Sequence, residues 1–573
     1  MTVIQPSAAP QFSAPGVYVT EQVLTPTPQN FQTSPSTAGF IGTHFRGPIG
    51  MAIQCNSWHD FVNYFGGFQT ASDGPVLANP LLPYAVYEFF NNGGMQAWVY
   101  RWAASASTPQ GVAANIILKD SSGGATPPGS LRLTAGFLGV SNSIGTWANS
   151  TGAGSATPGL YAQVTSPVTS GTAGQPLGSF NLIIYYGGTA PSNVVEQWNS
   201  LSMDPTSVRY APTVLNSTLS GSMFVYAADV STSAFPLNTP AATTSGTTAA
   251  PLPFAGGVDP QDPTETDKQN AFVYGASATQ PTAPPGAFDA VPGVLNINIP
   301  AETDTNVITQ AIKYCTPTTP GRPYSFLVID SVKGSTPGTM QSFMQSLQSS
   351  AASTFAALYY PWVNAVDPSA KTFQASKLLP PGGFVLGQYA SVDTTNGPWY
   401  APAGLLTALT GAVGLEQTLS LQQEGSLNLS NVNCFRTVPS SGAVVIFGAR
   451  TVETQWAVVY VPIRRALNYI ESRLGELLQF AVFQPNNQVL WTAITAACDL
   501  FLGGLAGLNA FQGATPSQQY YVICNGSNNT PSTISQGIVN TQVGVALNFP
   551  AEFVQLTVTQ FQSTGTTTVT TTV

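Results

Sequence analysis

Apolar and polar residues alternate along this chain with two different periods, most clearly over 444–561. Ile463, Leu467, Ile470, Leu474, Leu477 and Ala481 recur at spacings of four, three, four, three and four, which stacks them on one face of a 3.6-residue helix. Pro462 suits the first helical position, where its missing N–H would have no partner anyway. Arg464, Asn468 and Glu471 fall off the stripe, so the helix has an apolar side for a core and a polar side for something else. Pro485-Asn486-Asn487 stops it, and 489–508 begins a second helical stretch. A strand is predicted at 443–447 and another at 520–524. Near the end of the chain Val554, Leu556 and Val558 alternate with Gln555, Thr557 and Thr559, the period of a half-buried strand. The Thr/Val tail 564–573 is strand-prone as well.

Residues 36–102 read as a strand (37–42), a helix (57–66), a second helix (84–90) and a strand (97–101). Ser57 is placed to cap the first helix and Gly66 to end it, while Asn91-Asn92-Gly93-Gly94 stops the second. Over 103–253 short strands at 115–118, 130–134, 161–164 and 181–186 lie between Ser/Thr/Gly-rich turns, the signature of a small β-rich insertion. The tract 239–253 is a linker by composition. Farther on, strands at 295–299, 325–330 and 354–360 alternate with helical stretches at 304–314 and 339–352, which predicts α/β structure with parallel pairing. Residues 367–399 read as loop and 401–404 as a short helical turn. Residues 1–37 carry several prolines and one strand signal around Val17, Tyr18, Val19 and Thr20, as in an extended arm.

Only 7% of the 573 residues are charged, against roughly 25% in ordinary domains. Disorder is disfavoured, since 43% are hydrophobic and 10% aromatic. The stretch 490–511 is long enough to span a bilayer, but Asp499 lies in its middle and no Lys or Arg flanks it, so a buried or interface helix is the better reading. The first twelve residues carry neither basic residues nor an apolar run, so no signal peptide is expected. A net charge of −9 without a basic run argues against a nucleic-acid partner. Cys55, Cys315, Cys434, Cys498 and Cys524 are far apart with no CxxC pair, and read as buried thiols with no metal and no cofactor.

Certain phrases carry a resemblance. Phe447-Gly448-Ala449-Arg450-Thr451, then Arg464-Arg465 opening a helix, Phe483-Gln484-Pro485-Asn486, Leu490-Trp491, Tyr520-Tyr521-Val522 and Pro550-Ala551-Glu552-Phe553-Val554 together resemble the C-terminal domain of contractile tail sheath proteins. Ala14-Pro15-Gly16-Val17-Tyr18, Gly145-Thr146-Trp147-Ala148-Asn149, Phe254-Ala255-Gly256-Gly257, Pro380-Pro381-Gly382-Gly383 and Gly397-Pro398-Trp399 follow the same family in order. The resemblance implies an α/β and α+β multidomain chain: an N-terminal arm (1–30), a subtilisin-like but non-catalytic middle domain (31–104 with 254–430), a β-rich outward insertion (105–253), an inner sheath domain (431–552) and a C-terminal arm (553–573). It implies a structural subunit that polymerises helically around an inner tail tube protein and contracts, with baseplate and tail terminator proteins as further partners and no membrane insertion. Its place would be a virion tail assembled in the host cytoplasm, or a contractile injection particle. Val17, Tyr18, Val19 and Thr20 at one end, and Phe553, Val554, Leu556 and Val558 at the other, would be the arms that pair with neighbouring subunits.

Two readings remain for Arg450, Arg464, Arg465 and Arg473: ion pairs with Glu453, Glu471 and Glu476 on a solvated helix face, or some of them as charges facing another subunit or the tube. Enzyme chemistry has little to work with, since His44 and His59 are the only histidines and no phosphate loop or HExxH is present. Asp330 ends a strand where α/β enzymes place carboxylates, and reads as structural or as an interface group. A secreted or surface β-rich adhesin is the alternative from another class, and an α/β hydrolase relic a third.

Overall fold

The computed structural model describes residues 36–571 except 69–80, 103–110, 124–125, 142–145, 151–158, 171–175, 246–247, 259–262, 271, 273–286, 317–321, 352, 371–374, 456–458, 554, 556–557 and 562–567. Its centre is an eight-stranded sheet in the order Ala52–Cys55, Ala97–Arg101, Ala38–Gly42, Leu295–Asn298, Ser325–Asp330, Ala356–Tyr360, Val432–Thr437, Val444–Ile446. The inner six strands run parallel, and the two outer ones pair antiparallel. Strands buried on both faces need helices on both faces, and two cores result. Phe61, Phe65, Phe89 and Tyr389 fill one. Ile308, Ile312, Met340 and Met344 fill the other, beneath the helices Thr305–Cys315 and Pro337–Ala351.

Local signals hold where they were strong. The helix Trp58–Phe65 is capped by the Ser57 side chain, which accepts the Asp60 N–H, and ends at Gly66 with φ 94°. The edge strand Ala52–Cys55 was not predicted; four residues, mostly half-buried, carry too little pattern.

The 115–253 segment makes two antiparallel sheets over one core that includes Trp147, Phe180, Leu182 and Phe254. One sheet has three strands, Asn115–Lys119, Gly129–Ala135 and Val225–Asp229. The other orders Leu252–Pro253, Leu160–Thr165, Ser179–Tyr186 and Val194–Ser202. Val194–Ser202 escaped prediction because seven of its nine residues are not buried, so it has no apolar alternation. The tract read as a linker instead folds back: Thr244–Ser245 pairs with Thr248–Ala249, and Leu252–Pro253 joins the sheet edge. Arg46 ties this region to the central sheet, its guanidinium lying 4.8, 5.1 and 4.6 Å from the rings of Trp147, Tyr186 and Phe224.

The largest correction concerns 367–399. Instead of loop, the chain forms the strand Ser376–Leu379 and the helix Gly382–Thr395. That helix is buried nearly all round, so it has no amphipathic stripe to read. Its glycines, which look like breakers in sequence, are there for close approach. A Cβ on Gly383 would lie 2.4 Å from the Ala85 carbonyl oxygen, and one on Gly387 2.8 Å from that of Phe89. The glycine helix therefore packs backbone to backbone on the helix Leu82–Asn91. No helical turn forms at 401–404.

Two buried carboxylates flank this pair of helices. Glu88 faces the side-chain amides of Asn91 and Asn92, and burial raises its pKa to about 7. Asp330 accepts the N–H groups of Gly382 and Ala301, yet burial still raises it to about 6. At these two carboxyls the folded chain holds protons that the unfolded chain has already released, so their contribution to stability is lost as pH rises through this window, while buried His44 works the other way below its ordinary value. We expect a higher urea midpoint at pH 5 than at pH 8, with Glu88→Gln removing about 2 kcal/mol of the difference. Equal slopes with pH in wild type and variant would refute the assignment to Glu88.

In the C-terminal part, the helices Val461–Leu477 and Gln488–Gly507 pack with the hairpin Tyr520–Ile523 and Gln542–Val545. The second helix is long and apolar enough to cross a membrane by length and composition. In this fold it buries Leu490, Trp491, Ile494, Cys498, Phe501, Leu502 and Leu505 along one side.

Candidate functional site

The Phe447-Gly448-Ala449-Arg450 run leaves the last sheet strand and crosses close over Asn433. A Cβ at Gly448 would meet the Asn433 Cα at 2.9 Å. Asn433 is fully buried and fixes the crossing, accepting the Arg450 N–H at 2.7 Å and donating to the Arg450 carbonyl at 2.7 Å. The Arg450 side chain is thereby aimed at a carboxylate far along the chain. Its Nε and Nη2 lie 2.9 and 2.7 Å from the two oxygens of Glu552, the bidentate geometry that makes such pairs strong.

Two further donors complete the cage. Asn428 Nδ2 donates to Glu552 at 2.7 Å and the Tyr460 hydroxyl at 3.0 Å, while Arg450 Nη1 also donates to the Asn428 carbonyl at 3.0 Å. Burial works to raise the Glu552 pKa, but the bonds from Arg450 and Asn428 outweigh it and hold the carboxyl below its usual range. Glu552 is thus a fixed anion that staples the start of the C-terminal segment onto the body of the fold. One of the two sequence readings pairs these arginines with Glu453, Glu471 and Glu476; only folding brings Arg450 to a carboxylate 102 positions along the chain. The available signal was Glu552 itself, an acidic residue in a segment almost without charge.

The other three arginines divide. Arg465 is buried, donates to Asp393 on the glycine helix and lies 4.1 Å over the Tyr389 ring. Burial pushes the Asp393 carboxyl upward despite that guanidinium. Arg464 pairs with Glu471 at 2.9 Å and covers Phe355, and Arg473 pairs with Glu476 at 2.5 Å. Arg450 and Arg465 therefore point into the fold, which for these two corrects both the reading of a solvated helix face and that of charges facing a neighbour or the tube. Asn468, placed on the polar side by periodicity, is buried and donates to the Ser325 carbonyl.

Of the arm residues, Val17, Tyr18, Val19, Thr20, Val554 and Leu556 lie outside the described residues. Phe553 is exposed immediately after the Glu552 cage. Val558 opens the strand Val558–Phe561, which pairs antiparallel with Thr568–Thr571. Both oxygens of Asp330 are taken by Gly382, Ala301 and Asn298. His44 is buried with Nε2 donating to the Gly67 carbonyl, and burial together with Arg101 lowers its pKa to about 3. His59 is exposed. All five cysteines are free and buried.

No protein-family model matches this chain, and no curated protein matches it. Solved structures do. The sheath tail protein of Listeria innocua aligns with a TM-score of 0.56 at 13% identity, over 86% of this chain and 89% of that one. A chain of the anti-feeding prophage baseplate gives 0.52 at 18% identity, over 96% and 100%. A chain of the PVC sheath complex, an extracellular contractile injection system in its contracted state, gives 0.50 at 19% identity, over 96% and 98%. Over most of its length, then, this chain has the fold of contractile sheath proteins.

Proposed function

We propose that this chain is a structural subunit of a contractile sheath in a phage tail or a related injection particle, with no catalytic role. The observation that carries the reading is the extent of the match: three sheath and baseplate structures align over 86% to 96% of the chain. Subunits polymerise helically around an inner tube and associate with a baseplate at one end and a terminator at the other. On triggering, the lattice shortens and widens and drives the tube forward, its energy coming from the difference between two packings of the same subunits. The middle domain and the inner domain form the wall, and the 105–253 insertion faces outward.

The arms hold the lattice together while subunits swing. Val17 to Thr20 and the segment from Phe553 onward add strands to a neighbour. Backbone pairing suits this task because it is directional and indifferent to side chains, each hydrogen bond netting roughly 0.5 to 1.5 kcal/mol. Arg464 and Arg473, near the surface, are the charges available to a tube or neighbouring subunit.

Negative-stain electron microscopy of the full-length protein over a range of concentrations tests the reading, with a variant lacking residues 1–25 alongside. We expect striated hollow tubes from the full chain and isolated folded particles from the truncated one. Isolated particles from both, or tubes from both, would overturn the proposal; a monomer throughout is what an adhesin predicts.

A further inference from the structure

Phe483 breaks two rules at once. Its backbone is left-handed, with φ 64°, which is uncommon for a bulky residue, and its ring is wholly exposed. Phe480, Val482 and Val489, close by in the chain, are exposed as well. The turn that presents them is firmly held: Gln484 donates its N–H to the Ala481 carbonyl, Asn486 donates to the Ile538 carbonyl, and the Trp491 indole donates to Asn486. A strained backbone held by its surroundings with an apolar ring in water points to function. Here the strain aims an aromatic knob.

The same chain carries a hole. A groove of about 420 Å³ is lined by Leu421, Gly425, Cys434, Phe447, Tyr460 and Phe553, among others. Leu421, Phe447 and Phe553 are exposed along it. Its volume lies within the range of pockets that enclose a small apolar ligand. At its rim the Arg436 guanidinium, paired with Glu424, stacks 3.8 Å over Phe447, so one face of the cation already meets an aromatic ring, and Glu424 and Glu552 add carboxylates to the lining.

Knob and groove lie at opposite ends of one rod. Tyr460, in the groove wall, is the N-cap of the 17-residue helix Val461–Leu477, and the knob follows its C-terminal end through the turn Leu478–Ala481. At 1.5 Å per residue the helix holds them about 25 Å apart. A projection and a recess at opposite ends of one helix, when they meet between copies, make a heterologous contact, which propagates unless its rotation closes a ring.

We propose that Phe483 and its apolar neighbours insert into the Leu421–Phe447–Phe553 groove of a second copy of this chain, as a head-to-tail contact of the polymer. Arg436 supplies a cation–π partner for the incoming ring. A few apolar side chains bury only a few hundred Å², well below the ~1,200 Å² of a stable pair. The contact therefore forms no free dimer and acts only when repeated in a lattice. The inference rests on the sheath reading and specifies one of its joints.

Two single variants test it, each predicted to leave the subunit at least as stable as wild type. Phe483→Gly relieves the strained φ. Gly425→Leu sits in mid-helix with nothing within 4 Å of its new Cβ and obstructs the groove. Each should raise the concentration needed for tube formation at least about tenfold, the expected loss from one buried aromatic side chain. A double variant, Phe483→Cys with Gly425→Cys, should give a disulfide ladder of multimers under oxidation, since the native thiols are buried. Wild-type tubes together with a variant that assembles normally, or with no ladder, would overturn this contact while leaving the sheath reading intact. An effect of Phe483→Gly without one from Gly425→Leu would also overturn it, assigning the knob to another partner such as the tube. If wild type forms no tubes, the sheath reading itself fails.

Discussion

Replacing Glu552 with glutamine is expected to lower subunit stability by about 3 kcal/mol and to abolish assembly. The stability loss arises because Arg450, almost wholly buried, keeps its charge and loses its bidentate partner, and an unpaired buried charge is what makes breaking such pairs expensive. The assembly loss has a different origin. Glu552 is the last caged residue before Phe553 and the segment beyond, so without it the arm leaves the body at an undefined place. Limited proteolysis should then cut near 549–553 in the variant and not in wild type. The double variant Arg450→Leu, Glu552→Leu should recover part of the stability, since the buried charge is gone, while Asn428 and Tyr460 still lose the acceptor they share. It should not recover assembly. A double-mutant cycle with a coupling below ~0.5 kcal/mol would show that the pair is not the clamp described here.

The second large effect is predicted at the helix crossing. Gly383→Val should cost at least about 3 kcal/mol, at the upper end for overpacking, because the atoms in the way are the Ala85 carbonyl oxygen and Cα at 2.4 and 2.8 Å. Backbone cannot turn aside as a side chain can, so the two helices must separate and open the core that holds Phe89, Phe384 and Tyr389. Gly387→Val should behave alike. Gly504 in the exposed face of Gln488–Gly507 has nothing within 4 Å, and there Gly504→Ala should stabilise by about 0.5–1 kcal/mol through helix propensity alone. Equal thermal shifts at the two sites would mean that the crossing is looser than its geometry.

The cap at Ser57, the stop at Gly66, the period of Ile463 to Leu474 and the parallel strands around Leu295, Ser325 and Ala356 were all legible. Each element depends on residues within a turn or two of one another, so the free energy that selects it is written locally; the parallel pairing of the strands alone joins residues about thirty positions apart. The ordered phrases around Arg450, Trp147 and Pro550 were legible too, and the fold comparison agrees with what they resembled.

What the tertiary structure decided is of another kind. Gly382–Thr395 becomes a helix because Leu82–Asn91 offers a backbone surface that only glycine can approach. Val194–Ser202 becomes a strand because Ser179–Tyr186 has an edge to pair with, though its own residues mark no face. Arg450 and Arg465 find Glu552 and Asp393 instead of the near carboxylates on their own stretch. Local periodicity reports which face of an element is apolar, but not which backbone or which charge will meet it. In a chain with so few charges, those meetings are set by packing, and packing is a property of the whole.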